Sequence, residues 1–587
     1  MYVGRQIVAR TKAHIIAGGM ASLPSNADVA DQFELLADIF ELEDVQSFRV
    51  LAYRRAATRI RETGTSVAQM ALEGKAKELQ GVGKTIEEKI VQIVEDGEVH
   101  ALTKHRQLVP AEVVEFLRIP GLGPKTVRRI WHELGITTLE GLREAAEAEQ
   151  LRTLSGLGPR SEENVLRAFA EAKPETGPAR ALLGMALPTL LEAVEQLRAH
   201  PAAIKVSEAG SARRRRETVR DVDIIATASD PDALIAHFTE LPWVVEVAAR
   251  GGTKATVVSG HGLRFDLRVV PPECYGNLLQ HFTGSKNHNI ALREAAQRRG
   301  LSISEYGVLN TETEETITHR DEKELYEFLG YQLIPPELRE NAGELEAARE
   351  GSLPKLVELK QLKGDLHTHT TWSADGHNSV EEMALAAIAR GYEYLAITDH
   401  SHYLREGRME AQAKEIDAVS KKVAPFRLLK GVEANIRADG SLDVPDDVLA
   451  ERDWVVASLH SAFHRDPTER VCGAMENPHV DCIGHLTARK IGRRESVAID
   501  PGRVIETAAR TGTALEINSQ PDRLDMPDPL ARLAGEEGVL VPVTSDAHRV
   551  ETLAYVELGI GQARRAWLTK KHVLNTRSWA QIEKTLS

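Results

Sequence analysis

The sequence predicts a multidomain protein that is all-α at its N-terminus, mixed α/β in its centre and a parallel β/α barrel at its C-terminus. Residues 25–172 place apolar residues at helical spacing between glycine-containing turns, and residues 181–270 combine a helical segment with β-branched runs. From Gly364 onward, short strands alternate with helical segments, which is typical of parallel β/α construction. The predicted strands are Leu395–Thr398, Trp454–Ser458, Ala514–Asn518 and Val539–Val543. The length of 587 residues corresponds to about four domains.

The composition excludes several classes of protein. The three cysteines (Cys274, Cys472 and Cys482) lack the spacing of a disulfide framework or a thiolate zinc site, and they indicate a reducing compartment. No apolar run approaches the ~20 residues that span a bilayer, so we expect a cytoplasmic protein without membrane contact. The net charge of −14 means that any nucleic-acid binding must come from local features.

A short glycine pattern occurs three times in the N-terminal part. Each copy reads apolar-x-Gly-apolar-Gly, with a basic residue within two positions and a helical segment after it: Gly81, Gly83 and Lys84; Gly121, Gly123 and Lys125; Gly156, Gly158 and Arg160. Such a turn exposes backbone N–H groups at the positive end of a helix, where they can bind a DNA phosphate without reading sequence. A single copy would usually be only a tight connection, but three copies resemble helix-hairpin-helix motifs and predict DNA contact, although the third could be purely structural.

Three carboxylates recur on the predicted strands of the central part. Asp221 and Asp223 are two residues apart and therefore project from the same face of a strand, and Asp266 lies in a second alternating strand. Clustered anions repel one another unless divalent cations lie between them, and two-metal phosphoryl transfer uses this arrangement. The alternative is a solvated strand face, but the Gly210-Ser211 turn upstream favours a site in which Ser211 and Arg214 bind a triphosphate.

This central pattern resembles the nucleotidyltransferase palm, and the segment from His281 to Asn289 is similar to one in family X DNA polymerases. With the hairpins upstream, the resemblance covers residues ~25–335. It implies two Mg²⁺ or Mn²⁺ ions on the three aspartates. It further implies that the nucleotide is bound by Gly210, Ser211 and Arg214 at the triphosphate, Phe282 at the sugar, Asn289 at the base, and Gly284. It implies that Arg293 lies near the template, that Tyr53 contacts DNA, and that Lys89 is the Schiff-base lysine of a 5′-deoxyribose-phosphate lyase.

Histidines are concentrated in the C-terminal part, where ten of the 21 fall between His367 and His548. Metal-binding side chains recur at the C-terminal ends of successive predicted strands, where β/α barrels place their sites. Imidazole and carboxylate groups without thiolates suit Zn, Mn or Fe. The positions concerned are His367, His369, Asp375, His400, Glu433, His460, His485, Asp546 and His548.

This series resembles the polymerase-and-histidinol-phosphatase (PHP) domain, a distorted (β/α)7 barrel, over residues ~360–575. The resemblance implies up to three Mn²⁺, Zn²⁺ or Fe²⁺ ions. It assigns the first ion to His367, His369, Glu433 and Asp546, the second to His460 and His485 with Glu433 bridging, and the third to Asp375, His400 and His548.

The sequence is thus identified as a member of the bacterial branch of family X DNA polymerases. The predicted divisions are an N-terminal extension (1–24), a lyase-like helix-hairpin-helix domain (25–105), fingers (106–176), a palm (177–271), a thumb (272–336), a linker (337–360) and the PHP domain (361–587). The resemblance implies a monomeric, nucleoid-associated enzyme that uses deoxynucleoside triphosphates to fill short gaps in gapped or nicked DNA during base excision repair or end joining. It also implies a Mn-dependent 3′→5′ exonuclease in the barrel, with abasic-site cleavage and 3′-phosphate removal as further activities. Because synthesis and hydrolysis would share one end of the DNA, we expect the two active sites to alternate on a mobile hinge near 336–360.

Two other interpretations remain open. The family usually has Gly before the first Asp and Tyr before the Phe, whereas this sequence has Arg220 and His281. The palm would then only hold DNA, and the barrel would be the sole enzyme. Alternatively, the barrel is a small-molecule phosphoesterase of the histidinol-phosphatase kind, and the N-terminal part serves for recruitment.

Overall fold

The structure is a computed structural model that describes residues 24, 26–43, 47–62, 67–79, 81–105, 108–119, 122–154, 157–171, 180–463 and 465–586. Apart from Pro24, the predicted N-terminal extension lies outside these residues, as do Gly121 and Gly156 of the hairpins. Among the described residues, no helix is both long enough and apolar enough to cross a membrane.

The N-terminal part is all-α, as the sequence predicts. Its helices pack around one apolar core that includes Phe33, Leu36 and Phe116. A 3-10 turn lies just before each glycine hairpin, at Ala76–Glu78, Phe116–Arg118 and Leu151–Thr153. The helices are α1 (Asn26–Leu42), α2 (Ser47–Glu62), α3 (Val67–Leu72), α4 (Lys84–Asp96), α5 (His100–His105), α6 (Ala111–Glu115), α7 (Pro124–Leu134), α8 (Leu139–Glu147) and α9 (Pro159–Glu171).

The central part is built on a five-stranded mixed sheet with the strand order β2-β4-β7-β6-β5. Strands β4 and β7 pair in parallel, and the register places Asp223 opposite Asp266. The elements are β1 (Ala181–Leu182), α10 (Leu183–Ala199), β2 (Ala203–Glu208), α11 (Gly210–Arg213), β3 (Thr218–Val219), β4 (Asp221–Ala228), α12 (Pro231–Thr239), β5 (Val244–Arg250), β6 (Lys254–Ser259) and β7 (Arg264–Val269).

A smaller unit follows, in which helices pack beside a three-stranded antiparallel sheet. It comprises α13 (Tyr275–Thr283), α14 (Lys286–Gln297), β8 (Leu301–Ser304), β9 (Gly307–Asn310), β10 (Thr316–Ile317), α15 (Glu322–Phe328) and α16 (Glu344–Glu350). The segment predicted as a linker, 337–360, packs into this unit, because Leu338, Leu345 and Leu356 belong to its apolar core. The packing gives no support to a hinge at this place.

The C-terminal part is a curled parallel sheet with helices around it. Strands β11 to β16 pair in chain order, β17 pairs in parallel with β18, and a parallel bridge between Thr368 and Ala547 returns from β18 to the first strand. The run predicted as one strand over Ala514–Asn518 is divided into β16 and β17 at Glu516. The described residues of this part therefore form eight short strands, or seven strand positions when β16 and β17 are counted as one.

The strands of this part are β11 (Gly364–Asp365), β12 (Tyr394–Ile397), β13 (Arg427–Asn435), β14 (Trp454–Ser458), β15 (Cys482–Gly484), β16 (Ala514–Leu515), β17 (Ile517–Asn518) and β18 (Val543–Thr544). The helices are α17 (Val380–Ala389), α18 (Arg408–Val423), α19 (Asp446–Leu449), α20 (Thr468–Met475), α21 (Pro501–Thr511), α22 (Asp528–Glu536), α23 (Val556–Arg565) and α24 (Trp579–Leu586).

The central sheet and the barrel share a packed boundary. Leu524 and Leu558 of the barrel are buried in the same apolar cluster as the helices and strands of the central sheet. Gly184 in α10 lies so near Pro521 that a Cβ at this position would overlap the proline ring. Arg489 donates to Glu217 across the boundary at 2.7 Å.

Candidate active sites

The three predicted carboxylates of the central sheet lie together at one end of β4 and β7. Val222 is fully buried between the half-buried Asp221 and Asp223, as the strand alternation predicts. Asp266 lies opposite Asp223 and accepts a hydrogen bond from the Thr256 hydroxyl. Burial, followed by the charges of Asp266 and Asp221, raises the pKa of Asp223 to about 7.

The Gly210-Ser211 turn lies against this carboxylate cluster. Gly210 has φ = +63°, and a Cβ at this position would overlap the Asp223 carboxylate. Glycine is therefore required here both for the backbone conformation and for the close approach. The turn opens the short helix α11, in which Ser211 directly follows this glycine and Arg214 is the C-cap. A cradle lined by carboxylates and left open by a glycine fits divalent cations.

The other residues predicted to contact the nucleotide lie at the junction of α13 and α14. The Arg268 guanidinium lies 4.6 Å from the Phe282 ring centroid. Asn289 accepts from Gln280 Nε2 at 2.9 Å and donates to the His281 carbonyl at 2.8 Å, which fixes its amide. A Cβ at Gly284 would overlap the Asn289 amide, so the glycine permits this arrangement.

Two predicted contacts are already engaged within the protein. Arg293 lies 3.1 Å from His281 Nδ1, and the Arg214 guanidinium binds Glu340 and the Thr283 carbonyl. Arg220, the residue that departs from the family pattern, is exposed to solvent.

The glycine hairpins present open helix N-termini. Gly83 is the N-cap of α4 and Gly123 is the N-cap of α7, and neither helix has a side-chain cap. Within the part of the chain that the structure describes, a Cβ at Gly81, Gly83, Gly123 or Gly158 would meet no atom within 4 Å, so no described residue blocks the space in front of these turns. Lys84 and Lys125 are exposed next to them. These turns are accessible to a phosphate, as the motif predicts.

The two predicted sites of the lyase-like domain differ in character. Burial lowers the pKa of Lys89, and Glu88 opposes this shift. Tyr53 is half-buried between Phe33 and Phe40, with ring centroids 5.9 and 5.7 Å away, so most of its ring serves the core of the domain. A lowered lysine pKa is what a Schiff-base nucleophile requires, although this shift alone does not make one.

The barrel brings all nine predicted metal-binding side chains to the C-terminal end of its strands. Glu433, which is fully buried, is at the centre: its carboxylate lies 2.5 Å from His400 Nδ1, 3.1 Å from His485 Nε2 and 3.4 Å from His460 Nε2. His369 Nε2 lies 3.2 Å from the Asp546 carboxylate. The half-exposed Asp375 lies at the rim of the cluster, 3.4 Å from His400 Nε2 and 3.5 Å from His548 Nε2.

Among the described residues, three groups have donor atoms near enough to hold an ion. They are His367, His369 and Asp546; His400, Glu433 and His460; and His369, His400 and His548. The first group matches three of the four side chains predicted for one ion. The second group places His400 beside Glu433 and His460, and the third places His369 beside His400 and His548. The predicted assignment instead gave His400 to the third ion alone and His369 to the first ion alone.

Unpartnered buried atoms show that these residues fit metal ions. The atoms without a hydrogen bond include His367 Nε2, both ring nitrogens of His369 and Glu433 Oε2. An uncompensated buried polar atom is costly, and metal coordination satisfies it. Burial opposes ionisation of Glu433, but the neighbouring His400, His460 and His367 hold its pKa well below the ordinary value.

Sequence reasoning missed the residues that orient these histidines. Glu516 is fully buried between β16 and β17 and lies 2.6 Å from His367 Nδ1. Its carboxylate also accepts from the His485 backbone N–H at 2.6 Å. Asn435 Oδ1 lies 2.6 Å from His460 Nδ1. A carboxylate or amide on the outer ring nitrogen fixes the ring and its tautomer.

Clustered carboxylates beside a glycine turn, joined to a histidine-rich barrel, define a class of metal-dependent phosphoryl-transfer proteins. Family models agree with this class. The DNA polymerase beta thumb matches residues 278–340, the PHP domain matches 365–519, a helix-hairpin-helix domain matches 24–99, and a SAM-like helix-hairpin-helix tandem matches 113–171.

Curated relatives extend the match to almost the whole chain. This chain is 41% identical to the DNA polymerase/3'-5' exonuclease PolX of Bacillus subtilis (strain 168). The aligned 567 residues cover 95% of this chain and 98% of that protein. A probable phosphatase of Thermoanaerobacter sp. (strain X514) is 31% identical over 225 residues, which is 36% of this chain and 89% of the phosphatase. The chain therefore belongs to the family X DNA polymerases that carry a C-terminal PHP domain.

Proposed function

We propose that this protein is a DNA polymerase that fills short gaps in DNA and degrades 3′ ends with a second active site in its barrel. The observation that carries the polymerase is the register of β4 against β7, which places Asp223 opposite Asp266 with Asp221 on the same face. The family relationship supports both activities. Gap filling in base excision repair or end joining is the finer part of the proposal.

In the palm, Asp221, Asp223 and Asp266 would hold two Mg²⁺ or Mn²⁺ ions, which neutralise the charge that develops on the phosphates during nucleotidyl transfer. The Ser211 hydroxyl and the Arg214 guanidinium bind the triphosphate by charge-assisted hydrogen bonds. The Phe282 ring, supported by Arg268, packs against the sugar, and the fixed Asn289 amide faces the incoming base. The hairpins bind the backbone of gapped or nicked DNA and do not select its sequence.

In the barrel, the nine side chains would hold up to three ions of Mn²⁺, Zn²⁺ or Fe²⁺, which polarise a phosphodiester and lower the pKa of water. Glu516 and Asn435 keep the His367 and His460 rings aligned. The side chains of Asp375 and His460 are the most exposed of the nine, at 51% and 28%, so they would lie nearest the 3′ end of a DNA strand that enters from solvent.

A gapped duplex tests the two-site proposal. Asp223→Ala removes a cluster carboxylate and should abolish extension while degradation continues, and His460→Ala should have the opposite effect. Asp232→Ala, an exposed aspartate on α12, and His479→Ala are matched controls that should change neither activity. If one substitution removed both activities, the two-site proposal would be wrong. If no metal supported incorporation while the exonuclease stayed intact, the palm would only hold DNA.

Phosphomonoester hydrolysis is a second candidate activity of the barrel. Relatives named probable phosphatases match over 225 and 198 residues, lengths close to that of the barrel. A comparison of turnover on a 3′-phosphorylated primer and on a 3′-hydroxyl primer distinguishes the two chemistries. Faster hydrolysis of a small phosphate monoester than of DNA would favour the phosphoesterase interpretation.

Lys89 is the candidate nucleophile of a 5′-deoxyribose-phosphate lyase. Borohydride should trap a covalent complex with DNA that carries this group, and Lys89→Ala should abolish it. Lys104→Ala, which removes an exposed lysine of the same domain, is the control. Trapping that persists in Lys89→Ala would exclude this role.

A further inference from the structure

The arginine expected at the triphosphate is held by residues from outside the central sheet. Arg214 Nε donates to Glu340 Oε1 at 3.0 Å, and its Nη1 donates to the Thr283 carbonyl at 2.9 Å. The side chain is 12% exposed, so these bonds are shielded from water. Among the described residues, no hydrogen bond uses Nη2 of Arg214, which leaves this donor for a ligand.

Glu340 is held in turn by the barrel. Arg565, near the end of α23, donates from Nη1 to Glu340 Oε1 at 2.9 Å and to the Arg214 carbonyl at 3.1 Å. Its Nη2 donates to Asp528 Oδ2 at 2.8 Å, and its side chain is 1% exposed. Two nearly buried guanidinium groups therefore share one carboxylate, and the carboxylate fixes the position of both.

We propose that Glu340 and Arg565 are positioning residues for nucleotide binding, so that the barrel completes the nucleotide site of the palm. The inference rests on the proposed role of Arg214 at the triphosphate. Without the Glu340 charge, Arg214 and Arg565 would repel each other, and Arg214 would lose the bond that sets the plane of its guanidinium. A planar donor that is already oriented binds a phosphate with a smaller loss of side-chain freedom.

The neighbouring pair provides a matched control. Arg564 Nε donates to Glu337 Oε1 at 2.7 Å, between the same helix and the same segment. This pair joins the barrel to the thumb side but does not contact Arg214. Its loss should weaken the boundary and leave the arginine in place.

The test is single-nucleotide incorporation on gapped DNA by the full chain. We expect Glu340→Gln to raise the KM for the deoxynucleotide about tenfold, the loss expected for one charge-assisted hydrogen bond, with kcat within about twofold. Glu337→Gln and Arg564→Met should leave this KM unchanged, and the exonuclease rate should be the same in all these variants. Adding Glu340→Gln to Arg214→Lys should raise the KM little beyond its value in Arg214→Lys alone, because both changes act through the same contact.

The outcomes separate the inference from the function on which it rests. If Arg214→Ala does not change the nucleotide KM, both the role of Arg214 and this inference are overturned. If Arg214→Ala raises the KM but Glu340→Gln behaves like Glu337→Gln, only the inference is overturned. Arg565→Lys and Arg565→Met test the inference independently. We expect the smaller KM increase for Arg565→Lys, because lysine keeps the charge. If Arg565→Met does not fold, Glu340→Gln decides.

Discussion

At the scale of the residue, Asp223 is the side chain whose protonation the fold alters most clearly in the palm. Burial and two neighbouring carboxylates act in the same direction and raise its pKa to about 7. The folded state therefore binds this proton more tightly than the unfolded chain, in which an aspartate has a pKa of about 3.9. The contribution of this group to stability falls as the pH rises from about 4 to 7 in the absence of cations.

We therefore expect Asp223→Asn to raise the free energy of unfolding of the metal-free protein at pH 8. The expected gain is about 1–2 kcal/mol once partial solvent screening is allowed for. The gain should disappear at pH 5, where the wild-type carboxyl is mostly neutral. Urea unfolding at both pH values measures this. An equal effect at the two pH values would contradict the assigned cause, and Asp232→Asn, on an exposed helix, is the control.

Glu516 should control metal affinity although it contacts no predicted ion. Replacing it with Gln removes the carboxylate 2.6 Å from His367 Nδ1 while keeping the shape of the side chain. Loss of such a partner typically lowers metal affinity about 10–100-fold. Competition with a fluorescent chelator measures the affinity directly, and Glu537→Gln, in an exposed position, should have no effect. Unchanged affinity in Glu516→Gln would show that the carboxylate is only structural.

At the scale of the element, the sequence predicts positions better than interactions. Period-two alternation predicts the carboxylates of β4 and β7, and Trp454–Ser458 is predicted with its observed bounds. Glu516 could not be assigned in this way, because a charged residue inside an apolar run gives no indication of its partner. The run predicted at Val539–Val543 becomes a strand only at Val543–Thr544, since its pairing depends on β17.

The hairpin turns allow a prediction about salt dependence. Lys84 is exposed at the open N-terminus of α4, where it can neutralise one phosphate. Lys84→Gln should lower DNA affinity for every sequence and reduce the slope of log K against log salt by about one. Fluorescence anisotropy over a salt series measures the slope, with Lys104→Gln as the control. A slope equal to that of the wild type would exclude Lys84 from the interface.

At the scale of the whole molecule, the barrel should depend on metal for part of its stability. Chelation leaves Nε2 of His367 and both ring nitrogens of His369 without a hydrogen-bond partner. Ligand at a hundredfold excess over its Kd stabilises a folded state by about 2.7 kcal/mol. Calorimetry of the full chain in EDTA and in Mn²⁺ should therefore show a higher unfolding temperature in Mn²⁺ for the barrel, while the N-terminal helices unfold at the same temperature in both. His369→Ala should remove most of this difference, and identical traces would contradict a metal-binding barrel.

The leucines at the boundary between palm and barrel make it unfavourable to separate the palm from the barrel by truncation. Leu524 and Leu558 complete the interior of a sheet encoded more than 250 codons upstream, and Gly184 permits that approach only because it has no side chain. A polymerase fragment truncated near residue 340 would expose to water the apolar surface that the barrel covers. We expect such a fragment to precipitate or to dimerise through this surface. Any shorter, barrel-free version of this enzyme would first need polar substitutions along α10.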